Sequence, residues 1–261
     1  MHKVVVIIPA RYNATRFPGK PLAQLKGKPI IQHVYENASR ASLADTVMVA
    51  TDDRRIFDAV TDFGGSAVMT IGSHESGTDR IAEAAAEIDC EYVVNVQGDE
   101  PFIEPDMIDD VANLLYNDDK ASISTLVKKV TDLDEILSPH VVKAVMDDQD
   151  YAIYFSRAPI PYHRDEFLEF RVMSHELQAA HINTGNLEFY KHIGIYGYRK
   201  EALVKFSSLK QCRLEKIEKL EQLRALNAGM KIKVKETGFD TFGIDTLEDL
   251  RKAEEWQNTS L

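Results

Sequence analysis

Long apolar runs are missing from this 261-residue chain. The longest one near the start, Val4 to Ile8, is closed by Pro9 and preceded by a single Lys3. It is far short of the roughly 20 residues of a membrane span and of the core of a secretory signal, so it reads as a buried strand. Cysteine is nearly absent too: Cys90 and Cys212 have no metal-binding or redox motif around them. Two isolated thiols build no disulfide framework and fit a reducing compartment, where both serve as packing side chains. Without a secretion signal, the triplets Asn13-Ala14-Thr15 and Asn258-Thr259-Ser260 are chance matches to the glycosylation pattern. No Gly/Ser linker, low-complexity tract or solenoid-like repeat divides the chain. With 44% hydrophobic residues, one domain over 1–261 is expected.

Acid is absent from one place in particular. The net charge is −11, which argues against nucleic acid or an anionic membrane as the main partner. Yet no acidic residue precedes Glu36, while Lys3, Arg11, Arg16, Lys20, Lys26 and Lys28 all do. The first 35 residues therefore carry +6 against −17 for the remainder. A small anionic ligand near the N-terminus would account for this segregation; a merely basic surface is the competing explanation.

Short β-branched runs then alternate with helical patterns: Val4–Ile8 and Ile30–Ala41, Thr46–Ala50 and Arg54–Phe63, Ala67–Met69 and Thr78–Glu87, Tyr92–Val96 and Pro105–Leu115. Such alternation, with near-continuous apolar strands, indicates a mostly parallel sheet covered on both faces. Ligands in these sheets sit beyond the carboxyl ends of the strands, which singles out the segments after Ile8, Ala50, Met69 and Val96. The middle changes character, with strands expected at Ser122–Val130, Val141–Met146, Ala152–Phe155 and His192–Tyr198 and little helix between them. These form an added antiparallel or mixed portion. The polar stretch Asp165–Tyr190 reads as a long excursion. Helix returns at Arg213–Asn227 and at Leu247–Gln257, the latter behind the capping pair Asp245-Thr246.

The loop after the first strand, Pro9 through Pro21, lacks a Gly-rich dinucleotide fingerprint, and Gly27-Lys28 has no upstream glycine to make a P-loop. Phosphate must be held another way. Arg11, Arg16 and Lys20, spaced along one loop, can surround a triphosphate, the arginines with forked donors and the lysine with a movable point charge. Gly19 lets the backbone approach closely. After the fourth strand, Gln97-Gly98-Asp99-Glu100-Pro101 puts a carboxylate at a strand terminus, suited to a hard cation that keeps waters and bridges phosphates. Asp245, at a second strand-to-helix junction, is either another such ligand or a routine helix cap.

Ile8-Pro9-Ala10-Arg11-Tyr12 through Thr15-Arg16-Phe17-Pro18-Gly19-Lys20-Pro21 resembles the signature loop of the CMP-Kdo synthetases, the cytidylyltransferases of 3-deoxy-manno-octulosonate (Kdo). Five further matches follow in the family's order: Ser76 to Arg80, Asn95 to Pro101, Tyr154 to Arg157, His192 to Arg199, and Leu220 to Arg224. The resemblance implies an α/β, Rossmann-like fold of the glycosyltransferase-A type. Its nucleotide-binding half would span about 1–120, a sugar-binding and dimerisation portion 121–230, and a return to the core 231–261. It implies a cytoplasmic homodimer that joins CTP to Kdo with Mg²⁺ as cofactor, for lipopolysaccharide biosynthesis. It further implies that Arg11, Arg16 and Lys20 take the triphosphate and that Ser76, Gly77 and Thr78 lie near the base. Asp99 and Asp245 would hold the metal, and Gln97, Arg157, His192, Tyr196, Glu221 and Gln222 would face the sugar. On pattern alone, His192 and Tyr196 are equally core residues of one strand face, and Glu221 and Gln222 solvated helix positions like an expected Glu215–Lys219 pair. The stretch between Arg164 and Lys191 is longer than in the family. The same chemistry on 8-amino-Kdo, sialic acid or an alditol phosphate is the nearest alternative, and a silent nucleotide-binding regulator another.

Overall fold

The computed structural model describes residues 3–13, 17–71, 74, 76–164 and 188–259. The loop residue Arg16 and most of the excursion expected at Asp165–Tyr190 lie outside these. In chain order the elements are β1 (Val4–Ala10), a 3-10 turn (Lys20–Leu22), β2 (Gln24–Leu25), β3 (Lys28–Pro29), α1 (Ile30–Ala38), β4 (Thr46–Thr51), α2 (Arg54–Asp62), β5 (Ala67–Met69), α3 (Gly77–Ala86), β6 (Tyr92–Asn95) and α4 (Pro105–Tyr116). The second half adds β7 (Ile123–Val130), α5 (Leu133–Leu137), β8 (Lys143–Met146), β9 (Ala152–Ser156), β10 (Phe189–Arg199), α6 (Lys200–Ser208), α7 (Arg213–Glu218), α8 (Gln222–Asn227), β11 (Ile232–Glu236) and α9 (Leu247–Thr259).

One sheet runs through both halves in the order β11-β7-β10-β6-β1-β4-β5, with β8 and β9 attached beside β10. Its pairings are parallel except around β10, which is antiparallel to β6 and β7, and around β8, which is antiparallel to β10 and β9. The mostly parallel sheet with an antiparallel addition therefore stands. β1 is apolar throughout because it is buried on both faces. Val4, Val6 and Ile8 pack with α1, α2 and α4, while Val5 and Ile7 pack with α3, α6 and α8 through Ile81, Phe206 and Leu223. No helix among the described residues is long and apolar enough to cross a membrane.

Three local features depart from the sequence pattern. The helix expected over Arg213–Asn227 breaks at Lys219, which adopts the left-handed conformation at φ 56°. Instead of pairing with Lys219, Glu215 is buried against Arg224 in a forked pair of 2.9 and 2.6 Å, which locks α7 to α8. Glu215 also closes a capping box with Cys212, so this thiol is a helix cap. In β10 the register shifts between Ile193 and Tyr196. The Thr125 hydroxyl sits in the resulting bulge and donates to Ile195 O at 2.7 Å, satisfying a carbonyl the ladder has released.

Candidate active site

A cleft of about 320 Å³ opens beyond the carboxyl ends of β1 and β6, lined by Pro9, Arg11, Asn13, Lys20, Gly77, Gln97, Gly98 and Asp99 among others. Its floor depends on glycine. A Cβ on Gly98 would lie 2.8 Å from Pro9 O, and one on Gly77 would lie 3.3 Å from Pro9 Cγ. Only bare backbone lets the three loops converge this closely. Gly19 supplies the remaining turn at φ 73°, its N–H donating to Tyr12 O at 2.8 Å, and so places Lys20 at the head of the 3-10 turn.

Lys20 is the junction of the site. Its ammonium donates to Asp99 Oδ2 at 2.6 Å and to Asp245 Oδ1 at 3.0 Å. Burial alone would pull this ammonium's pKa down; the charges and hydrogen bonds of Asp99 and Asp245 outweigh it and hold the pKa above the usual value. The two aspartates are brought together by backbone, since Ile244 N–H donates to Asp99 O at 2.9 Å. Helix capping does not occupy Asp245. Thr246 Oγ1 accepts from Asp249 N–H at 3.1 Å, and the Asp249 carboxylate accepts from the Thr246 and Asp245 N–H groups at 2.8 and 3.0 Å. The cap is thus Thr246, and the Asp245 carboxylate is left pointing at Lys20.

Two carboxylates gathered around one cation form a hard-oxygen donor pair. No group of three or more His, Cys, Asp or Glu side chains able to hold a metal occurs among the described residues. Two protein ligands with open positions fit Mg²⁺, which keeps waters and takes substrate phosphates, better than an ion needing an all-protein cage. Beside them, the half-buried Glu100 lies near Gly194, and desolvation and the Asp99 charge push its carboxyl up to about 7 against a hydrogen bond from Thr241.

On the neighbouring wall Ser76 caps α3, accepting from Asp79 N–H at 3.1 Å, which leaves the first turn of the helix facing the cleft at Gly77. Arg11 Nη1 donates to His74 O at 3.4 Å. Thr78 donates to Glu221 at 2.8 Å, joining this wall to the start of α8, where Gln222 is buried. Burial raises the Glu221 carboxyl, against hydrogen bonds from Thr78 and Ser76. Gln97 lies beside Asn95, its Nε2 donating to Asn95 Oδ1 at 3.4 Å.

The remaining sugar-side candidates lie further along the sheet. The rings of His192 and Tyr196 lie 5.2 Å apart between centroids and tilted by 40°, and His192 also meets Phe155 edge-on at 5.2 Å. Burial drives His192 down to about 3, so its imidazole is neutral. Because the Thr125 hydroxyl hydrogen goes to Ile195 O, the 2.9 Å contact between Thr125 Oγ1 and His192 Nε2 requires Nε2–H, leaving Nδ1 as an acceptor. Arg157, just after β9, donates from Nε to Glu218 O at 2.7 Å and from Nη1 to Pro139 O at 2.8 Å. Thus Arg11, Lys20, Gly77, Gln97 and Asp99 line the cleft with Asp245 bonded to Lys20 beside it, Ser76 and Glu221 line a separate cavity of about 230 Å³ with Thr78 and the buried Gln222 next to them, and His192 and Tyr196 belong to an aromatic cluster. Arg157 sits among carbonyls and is not part of the cleft lining.

Sequence reading missed Asn13 in the lining, Thr125 behind His192, Glu218 behind Arg157 and Asp249 behind Asp245. Only the last had a local signal, the Thr-x-x-Asp spacing of a capping box. The others are set by contacts between distant segments.

A family model described as cytidylyltransferase matches residues 5–232. The chain is 48% identical over 253 residues to the 3-deoxy-manno-octulosonate cytidylyltransferase of Trichlorobacter lovleyi, covering 97% of this chain and 98% of that protein. It is 50% identical over 263 residues to the protein of the same name from Thermodesulfovibrio yellowstonii, covering 98% of each. Among solved structures it resembles CMP:2-keto-3-deoxy-manno-octonic acid synthetase complexed with CTP, with a TM-score of 0.88, 39% identity, and coverage of 99% of this chain and 100% of that one. A 4-diphosphocytidyl-2C-methyl-D-erythritol synthase from Anaerococcus prevotii shares the fold, with a TM-score of 0.62 at 16% identity over 98% of this chain and 96% of that one.

Proposed function

The chain belongs to the cytidylyltransferase family, and from that premise we propose how its cleft carries out the transfer of CMP from CTP to Kdo, yielding CMP-Kdo and pyrophosphate. The anomeric hydroxyl of the sugar attacks the α-phosphorus of CTP. The new O–P bond forms as the bond to the β-phosphate oxygen breaks, the hydroxyl proton leaves to solvent, and pyrophosphate departs with the bonding pair. Little covalent work falls to the protein, so positioning and charge neutralisation carry the rate.

Arg11 and Lys20 gather the phosphate oxygens at the β1 end, joined by Arg16 from the same loop. We assign the α3 N-terminus at Ser76, Gly77 and Thr78 to the nucleoside; Gly77 lines the cleft, and the bare backbone of Gly98 lets the Pro9 carbonyl close on it and so fixes the cleft floor. Asp99 and Asp245 are the groups that would hold Mg²⁺, which when bound supplies charge neutralisation at the phosphates and a lowered pKa for the attacking hydroxyl. On the sugar side we assign Gln97, His192, Tyr196, Glu221 and Gln222 to the hydroxyls and Arg157 to the carboxylate. A neutral His192 binds there without titrating. A cytoplasmic homodimer completes the reading, and sedimentation of the purified protein as a monomer at micromolar concentration would remove the dimer from it.

The observation that carries this reading is the convergence of Lys20, Asp99 and Asp245, far apart in sequence, at the mouth of one phosphate-sized cleft. Pyrophosphate release measured with CTP, UTP, ATP and GTP against Kdo, its 8-amino analogue and sialic acid tests it. CTP with Kdo should be the most efficient pair; another pair exceeding it would move the assignment.

A further inference from the structure

Lys20 does something its expected role as a triphosphate ligand does not require. Its ammonium is bonded to both carboxylates assigned to the metal, and its side chain is only 13% exposed while those of Asp99 and Asp245 are 31% and 52% exposed. The backbone at this point is fixed by Gly19 and the 3-10 turn, so only the four-carbon stem can relocate the charge. The carboxylates themselves are held near each other through the Ile244 N–H bond to Asp99 O. Two like charges placed together in this way require a cation, and here the chain supplies its own.

A divalent ion and an ammonium that share the same two carboxylates are competitors. In the nucleotide-free protein a dication would have to expel the ammonium and leave it unpaired beside a second positive centre. A triphosphate changes this balance, because its oxygens offer the ammonium another set of acceptors within reach of a flexible stem. Resting on the assignment of Asp99 and Asp245 to the metal, we propose that Lys20 is a built-in counter-ion that closes this site to free divalent cations until a nucleoside triphosphate takes its ammonium. Metal and nucleotide then load together, and by linkage each raises the affinity for the other.

The test is direct Mn²⁺ titration of the full chain without nucleotide, with free Mn²⁺ followed by electron paramagnetic resonance, for wild type, Lys20→Met, Lys20→Gln and each of these combined with Asp99→Asn. The Lys20 variants should bind one Mn²⁺ at least about tenfold more tightly than wild type, a coupling of ordinary size. Adding Asp99→Asn should abolish that gain. Equal Mn²⁺ affinity in wild type and both Lys20 variants overturns the proposal. If Asp99→Asn in that case still weakens Mn²⁺ retention in the CTP complex, the metal assignment survives alone; if it does not, both fall. Circular dichroism melts establish that the variants fold. Should neither fold, wild type decides: submillimolar Mn²⁺ binding without CTP overturns the proposal, and binding that appears only with CTP upholds it.

Discussion

Burial of single side chains sets what the site can and cannot titrate. His192 is held near 3 by desolvation, against about 6.5 in an unfolded chain. Between those values the unfolded state binds the extra proton, so stability is complete above pH 6.5 and falls as pH drops toward 3. At pH 5 the loss from this residue is about 2 kcal/mol. Denaturant melts at pH 7.5 and 5 should therefore show a smaller acid-induced loss in His192→Gln than in wild type, and equal losses would mean the imidazole is not desolvated. Arg157 was legible as a forked donor after a strand, but Glu218 O and Pro139 O, which hold it, were not, because both come from other segments. Arg157→Ala should lower kcat/KM for Kdo roughly 10- to 150-fold, the loss of about 1.5–3 kcal/mol, while CTP affinity stays within about twofold. A comparable fall in CTP affinity, or unchanged sugar kinetics, would place Arg157 in a purely structural role.

The strand–helix alternation of the first half was readable because each strand is short, apolar and closed by a turn. The second half hid more. α5, α6 and β11 escaped the pattern, and the break between α7 and α8 has neither glycine nor proline to mark it, since Lys219 itself takes the left-handed conformation. The bulge in β10 depends on Thr125 from β7, a partner that no local spacing reveals. Loops that touch backbone to backbone are the most sensitive elements. Gly98→Ala would press a methyl group against Pro9 O and displace Asp99, at a cost of about 1–3 kcal/mol and most of the activity; a variant with wild-type melting temperature and turnover would contradict this close approach. At the other metal-site junction, Thr246→Ala removes the cap of α9 and should cost about 1 kcal/mol, lowering Tm by about 2–4 °C. An unchanged Tm would show that the helix start is held by something other than the Thr246–Asp249 box.

Across the whole molecule, the charge segregation that stood out in the sequence acquires a location. Arg11 and Lys20 of the basic first segment lie at the carboxyl end of β1, whereas Lys3 precedes the strand and Lys28 pairs with Glu36; Asp99 and Asp245 meet Lys20 from beyond β6 and from the turn into α9. The sheet makes this possible by holding β1 in its interior, between β4 and β6, so that loops from distant parts of the chain end at one cleft. The six motifs were readable as residues, whereas their meeting was a property of the fold. The most direct measurement is pyrophosphate release by the full chain supplied with CTP, Kdo and Mg²⁺, compared with Asp245→Asn under the same conditions. Release is expected only when CTP and Kdo are both present, and at a rate at least about 100-fold slower in the variant at unchanged Tm, since several kcal/mol of charge stabilisation is lost. Near-normal turnover by Asp245→Asn at saturating Mg²⁺ would contradict it.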